Sequence, residues 1–428
     1  MAKTSPSPAT DWQAAIYLRG LAGQRPLVPT QPQQLEEQAR RNMSERAFAY
    51  VAGGAGAEGT MAANRAAFDH WRIVPQMLRN VARRDTSIQL LGMTLPSPLL
   101  LAPIGVLELA HRGADLAVAR ATTQAGVPYI FSNQASVPME RVAAAMDETP
   151  RFFQLYWSKS NDLVLSFVQR AEACGCRGIV VTLDTPMLGW RTRDLDLGYL
   201  PFLHGKGIAQ YTSDPVFQKL LDEPQGQEPV KRNVTLDAVL GLVEMARHYP
   251  GSTWAALRSG RALRAVRQFV GMYSNPAVTW NDLQFLRKNT RLPILLKGIL
   301  HRADALQALS VGVDGIIVSN HGGRQVDGSV ATLDVLPQIV EDVRGQIPVL
   351  LDSGIRTGAD VFKALALGAS AVCLGRPYVY GLAIGGQQGV YEVLRHLLAD
   401  FELTMGLAGC KNVAEIGRES LLRTSSIQ

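Results

Sequence analysis

The stretch "VSNHGGRQVDG" (residues 318–328) sets a histidine, an arginine and paired glycines directly behind the apolar run "VDGIIV". Burying so many polar groups at a strand end is costly unless each has a partner, and a ligand supplies one. His321 has the chemistry of a proton acceptor. Arg324, three residues on, can hold a carboxylate through two parallel hydrogen bonds. The glycines leave room for a molecule to approach. A second strand-like run, "GIVVTLD" (178–184), ends in Asp184, which could orient His321 and stabilise its charged form, as the third member of a catalytic triad does. A lone histidine is as readily structural. Lys297 lies inside "PILLKG" (293–298). A lysine in a buried strand is either a snorkelling side chain or a fixed positive charge beside a group that becomes anionic.

These groups need a scaffold that brings distant strand ends together. From residue 98 onward, short apolar runs alternate with amphipathic helical stretches. The runs cover 98–103, 128–132, 152–156, 178–184, 293–298, 315–320, 348–354 and 371–376. Each is too continuously apolar to have one face in water, which suits a parallel sheet covered by helices. Eight such units predict an α/β fold, a (β/α)8 TIM barrel, with an open doubly wound sheet as the alternative. About 110 residues separate Asp184 from Pro293, a long insertion after strand 4 that reads as a lid. Its middle, 222–233, reads as mobile. Residues 1–34 read as a loose arm, and a helix is expected from near Gln33 to Gly53–Gly54. The expected division is an N-terminal arm with the first helix over 1–45 and the barrel over 46–428, with 185–290 containing the insertion.

Barrels of this kind carry their chemistry at the carboxyl ends of the strands. Read in order, those ends hold Pro103 and Gly105, Ser132, Gln154 and Tyr156, Thr182 and Asp184, Lys297, Ser319 to Arg324, Asp352 to Gly354, and Gly375–Arg376. The last two units, with Arg356 and Arg376 beside glycines and helix starts, read as a phosphate site. Phosphate plus ring-reading polar groups (Ser132, Gln154, Thr182) suggests a mononucleotide. No Gly-x-Gly-x-x-Gly follows a strand, which argues against NAD.

Composition excludes other classes. Hydrophobic residues make up 47% of the 428 and charged residues 19%, enough apolar side chain for a large core. The net charge of +6 is mild for this size, and no basic stripe interleaved with aromatics speaks for nucleic acid. The four cysteines lack metal-ligand spacing, and no metal is expected. They read as reduced thiols of a cytoplasmic protein. "MAKTSPSPATDW" contains no apolar signal region, and the stretch 204–275 has no long apolar or strongly basic face for a membrane.

Taken together, "SNHGGRQ", "FFQLY", "TLDTP", "LLKGI", "LDSGIRTGADVFKALALGA" and "LGRP", in this order over about residues 34–420, resemble the FMN-dependent L-2-hydroxy-acid oxidising family. The resemblance implies FMN as cofactor. It assigns His321 as the base, Asp184 as its carboxylate partner and Arg324 as the grip on the substrate carboxylate, helped by Tyr50 and Arg191. Tyr156 contacts the substrate hydroxyl, and Lys297 sits by the flavin pyrimidine. Ser132, Gln154 and Thr182 contact the ring, with Pro103 and Gly105 beside it. Ser319, Asp352, Gly354, Arg356, Gly375 and Arg376 hold the ribityl chain and phosphate. It further implies a small 2-hydroxy acid and O2 as reactants, and a homo-oligomer of four or eight subunits.

Within the family, residues 183–217 and "YVAGGAG" resemble the lactate 2-monooxygenase group. There pyruvate stays bound and is decarboxylated to acetate by the hydrogen peroxide formed in the closed site. The alternatives are an oxidase releasing 2-oxo acid and peroxide, or a dehydrogenase passing electrons to a quinone or cytochrome. Three positions depart from relatives: Gly105, where simple oxidases carry alanine and the dehydrogenases can carry glycine, a change expected to alter the space for oxygen; Gln134, where glycolate oxidase has tryptophan; and Met187, where lactate 2-monooxygenase is bulkier.

Overall fold

The computed structural model describes residues 8–223 and 235–424. All eight apolar runs form strands: β1 (Leu99–Leu101), β2 (Tyr129–Phe131), β3 (Arg151–Leu155), β4 (Ile179–Thr182), β5 (Ile294–Ile299), β6 (Gly315–Val318), β7 (Val349–Asp352) and β8 (Ala371–Leu374). Each pairs in parallel with its sequence neighbours, and β8 pairs with β1 to close the barrel. The open sheet is excluded.

The strands are apolar on both faces for two separate reasons. Side chains alternate across a strand. One set, including Leu99, Phe131, Phe153, Val181, Leu296, Val318, Leu351 and Leu374, packs outward under the helices. The other set, Leu100, Ile130, Phe152, Val180, Leu295, Ile317, Leu350 and Ala371, fills the barrel interior. The interior is therefore a packed plug, and only its carboxyl end is free for chemistry.

Residues 8–34 are less loose than their composition suggests, and residues 1–7 lie outside those described. Pro8–Leu21 form helix α1. It is pinned to the last long helix by a Trp12 Nε1 hydrogen bond to His396 Nδ1 (3.0 Å) and by Glu402 accepting from the Ala9 amide (3.0 Å). The single helix expected after Gln33 is two, α2 (Pro32–Asn42) and α3 (Glu45–Ala52). Ser44 divides them: its backbone is extended and its hydroxyl accepts from the Ala47 amide, an N-cap. That cap aims α3 at the barrel mouth.

Between β4 and β5 the chain builds helices rather than further strands, among them Pro215–Asp222, Arg261–Met272 and Asp282–Asn289. An aromatic cluster anchors this insertion. Tyr211 meets Phe269 (4.8 Å between ring centres), Phe269 meets Tyr273 (5.0 Å) and Phe202 (5.2 Å), and Phe202 meets Tyr50 of α3 (6.3 Å). The stretch 222–233, expected to be mobile, lies almost wholly outside the described residues. Among those described, no helix is long and apolar enough to cross a membrane, and all four cysteines are free thiols.

Candidate active site

Two residues beyond each interior side chain, the inward-facing position changes character. The next inward layer is Ala102, Ser132, Gln154, Thr182, Lys297, Ser319, Asp352 and Cys373, and six of these eight are buried polar groups. This is the physical reason the apolar runs end in polar side chains: strand periodicity puts them all around the carboxyl mouth. Lys297 Nζ donates to Ser319 Oγ (2.8 Å) and pairs with Asp352 Oδ2 (3.0 Å). Ser319 Oγ donates to the same Asp352 oxygen (2.6 Å). Burial alone would discharge Lys297, but Asp352 and Asp184 outweigh it and raise its pKa, so the ammonium stays charged. It is neither snorkelling nor free. Two buried polar atoms of this layer, Gln154 Nε2 and Thr182 Oγ1, have no hydrogen-bond partner among the described residues.

His321 sits above this layer in the left-handed backbone region (φ 58°), where a residue other than glycine is strained. Its amide donates to Ser319 Oγ (3.1 Å). Its Nδ1 lies 2.7 Å from Asp184 Oδ1, so the carboxylate holds the Nδ1 proton and leaves Nε2 as the ring's acceptor. Thr185 Oγ1 touches both, 3.0 Å from Asp184 Oδ1 and 3.2 Å from His321 Nδ1. Burial pushes the His321 pKa down and Asp184 only partly restores it, so the ring is neutral near pH 7. For Asp184 burial acts upward, but the charges of His321 and Lys297 prevail and hold its pKa below the ordinary value. A bulge in β5 at Gly298 (φ 109°) makes this approach possible: a Cβ there would lie 2.9 Å from Asp184 Cβ.

Arg324, Arg191 and Tyr50 line the same cavity as His321. The Arg324 guanidinium lies over the Tyr50 ring, 5.0 Å from its centre, and donates to the Gly53 carbonyl (2.8 Å). Arg191 donates to the Arg324 carbonyl (3.3 Å). Burial first, then the neighbouring Arg191, push the Arg324 pKa below its ordinary value. A carboxylate docked between the two guanidiniums would relieve both effects.

The cavity runs on to Gly354, Arg356, Gly375 and Arg376. Arg376 donates to the carbonyls of Gly322 (2.9 Å), Gly53 (2.9 Å) and Val51 (3.2 Å). It opens a final helical stretch, α4 (Arg376–Leu407), which is broken at Gly385–Gly386 and whose first turn faces this end. Among the described residues the Arg356 guanidinium donates only to its neighbour's carbonyl, Ile355 O (2.9 Å), and burial lowers its pKa to about 10. No carboxylate among the described residues pairs with the side chains of Arg191, Arg324, Arg356 or Arg376. Four guanidiniums that form no ion pair in one cavity, with Asp194 near enough to act on Arg324 and Arg191 but not in contact, call for anions, and a helix start favours a phosphate.

Thirteen of the sequence-derived residues line this cavity: Tyr50, Pro103, Gly105, Tyr156, Arg191, Lys297, His321, Arg324, Asp352, Gly354, Arg356, Gly375 and Arg376. Asp184 stands behind His321. Ser132, Gln154 and Ser319 lie in the layer beneath, and Thr182 lines a neighbouring cleft with Tyr156 and Thr185. Other lining residues escaped the sequence reading. Leu188, Phe202 and Tyr273 come from the insertion, where nothing in the sequence signals the cavity. Thr185 adjoins Asp184, and that adjacency was the available clue. Met187 is 67% exposed, so Leu188 faces the cavity in its place. Gly105 does not open a void. A Cβ there would lie 2.8 Å from Gln134 O and 3.0 Å from Gln134 Cβ, so Gln134 takes up the space.

These features fit FMN. Orphaned hydrogen-bonding atoms at Gln154 and Thr182 suit a polar ring edge, Lys297 supplies fixed positive charge, and the arginines at the far end suit a terminal phosphate. Comparison with known proteins points the same way. A family model described as FMN-dependent dehydrogenase matches residues 39–423. An FMN-dependent alpha-hydroxy acid dehydrogenase of Penicillium citrinum is 42% identical, covering 97% of this chain and 96% of its own length. An L-lactate oxidase of Lysinibacillus sphaericus is 38% identical over 96% of this chain and 97% of its own. Among solved structures, mandelate oxidase superposes with a TM-score of 0.74 at 34% identity, covering 94% of this chain and all of that one. With this cavity and these relatives, the chain belongs to the FMN-dependent dehydrogenase family, and its cofactor is FMN.

Proposed function

We propose that this protein oxidises an L-2-hydroxy acid at C2 with oxygen as the electron acceptor, and that it turns L-lactate and O2 into acetate, CO2 and water. The observation that carries the first part is the placement, in one cavity, of a histidine held by a carboxylate beside two guanidiniums that form no ion pair with any described residue. Arg324 and Arg191 take the substrate carboxylate, and Tyr50 packs beneath it. His321 Nε2 accepts the proton released as C2 is oxidised. Asp184, 2.7 Å away, stabilises the imidazolium that results. Tyr156 orients the substrate hydroxyl. Lys297, held charged by Asp352, would present positive potential to a cofactor bound over it. FMN, when bound, would supply the two-electron redox chemistry that links C2 to oxygen.

The second part rests on the roof. Leu188, Phe202 and Tyr273 of the insertion line the substrate end of the cavity, and the packing of Phe202 on Tyr273 supports retention of the 2-oxo acid until peroxide forms beside it. The free thiols fit a reducing, cytoplasmic setting. A second reading is an oxidase that releases 2-oxo acid and peroxide, favoured by relatives named L-lactate oxidase and 2-hydroxyacid oxidase.

The test is the organic product of aerobic L-lactate turnover, read by NMR with catalase present to remove peroxide from solution. Acetate supports the retained-product reaction. Pyruvate overturns it in favour of the oxidase. If L-lactate is inert, longer and aromatic 2-hydroxy acids take its place in the same assay.

A further inference from the structure

In "SNHGGRQ", Gln325 has no part in the chemistry above, yet all its side-chain hydrogen-bonding capacity is spent on one loop. Its Nε2 donates to Asp184 O (2.8 Å) and to Met187 O (2.9 Å). Its Oε1 accepts from the Gly189 amide (3.3 Å) and from Arg191 Nη2 (3.2 Å). These four partners bracket the segment from the base's carboxylate to the carboxylate-binding arginine. They also flank Leu188, the one residue of this loop's tip that turns into the cavity. The backbones close on each other as well: a Cβ on Gly189 would lie 2.5 Å from Arg324 O and 2.9 Å from Gln325 Cα. Nothing larger than glycine fits there.

We propose that Gln325 and Gly189 form a clasp between the loop after β6 and the loop after β4, making Gln325 a positioning residue that sets both the stance of Arg191 and the reach of Leu188 toward the substrate's side chain. The clasp joins the two halves of the site at a place where no barrel strand holds them. His321 and Arg324 arrive from β6; Asp184, Leu188 and Arg191 arrive from β4. β6 and β4 are not adjacent, because β5 lies between them. The clasp thus supplies rigidity that the sheet does not. It rests on the reading that a 2-hydroxy acid binds with its carboxylate on the two arginines and its side chain toward Leu188.

Two kinds of measurement on the FMN-loaded protein separate the clasp from that reading. The first needs no substrate: amide hydrogen exchange over residues 184–191 in Gln325→Ala. Losing four hydrogen bonds should speed exchange there by about tenfold or more, with the barrel strands unchanged. Unchanged exchange in this segment overturns the clasp. The second compares kcat/KM for a series of 2-hydroxy acids with lengthening alkyl chains. Gln325→Ala should raise KM about tenfold and flatten the chain-length preference by a similar factor, with a much smaller change in kcat. Gln325→Asn, one methylene too short, should behave like the alanine variant. Gly189→Ala, which wedges the same contact from the other side, should do likewise. An equal fall in kcat/KM for every chain length, with KM unchanged, overturns the specificity role. If the parent protein turns over no 2-hydroxy acid while exchange responds as stated, the substrate reading has failed and the clasp stands.

Discussion

Replacing Asp184 by asparagine isolates one charge at the centre of the site. The carboxylate lies 2.7 Å from His321 Nδ1, and both groups are largely buried. At an effective dielectric constant near 20, opposite charges this close attract by about 6 kcal/mol, an upper bound. The net value of a charge-assisted hydrogen bond is about 1.5–3 kcal/mol. The upper end of that range corresponds to about a hundredfold loss in kcat, because the imidazolium forms only as the substrate is oxidised. The pH profile should move in a defined direction. His321 accepts a proton only when neutral, and its pKa is already pushed down by burial while Asp184 pulls it up. Without that anion the pKa falls further. The acidic limb of kcat/KM should therefore shift to lower pH while the plateau drops. Steady-state oxygen uptake from acid to alkaline pH reads both. A plateau within threefold of the parent, or a limb displaced to higher pH, would refute the electrostatic role of Asp184.

Three further substitutions probe other parts of the cavity. Lys297→Met strands the buried Asp352 carboxylate without its counter-charge, at a cost of about 3–5 kcal/mol; thermal unfolding should show a lower Tm, and a titration should show weakened FMN retention. Gly105→Ala should destabilise the protein by about 1–3 kcal/mol, since the added methyl meets Gln134 O at 2.8 Å; an unchanged Tm would mean that Gln134 yields freely. Arg324→Lys keeps the charge but loses the planar fork and its stacking on Tyr50, and should raise KM for the acid about tenfold or more with a smaller change in kcat.

Much of the scaffold was legible because its signals are local. Six of the eight strands are short apolar runs closed by a buried polar residue, and the barrel makes those residues part of a ring. Lys297 stood out since a lysine inside "ILLKG" violates burial, and the structure supplies its partner, Asp352, from another strand. The same logic exposed Gln154 and Thr182. What stayed hidden depends on contacts far apart in sequence. Helix α1 lies between Pro- and Gln-rich flanks, and its hold on the fold comes through Trp12 and Ala9 meeting residues nearly 400 positions away. Phe202 and Tyr273 look like ordinary core aromatics until the insertion folds over the barrel. Gly105 illustrates the opposite error. Its missing side chain suggested space, but Gln134, unremarkable beside it in sequence, occupies that space.

In the proposed reaction His321 takes the substrate's proton while Arg324 and Arg191 hold its carboxylate. Anaerobic mixing with an L-2-hydroxy acid that the parent enzyme oxidises, followed by the flavin absorbance, tests it without any contribution from oxygen. The parent protein should lose its oxidised-flavin spectrum rapidly. His321→Ala should still bind the acid, seen as a shift in the flavin bands, but reduce at least about a thousandfold more slowly. Reduction of His321→Ala at the parent rate would contradict the account.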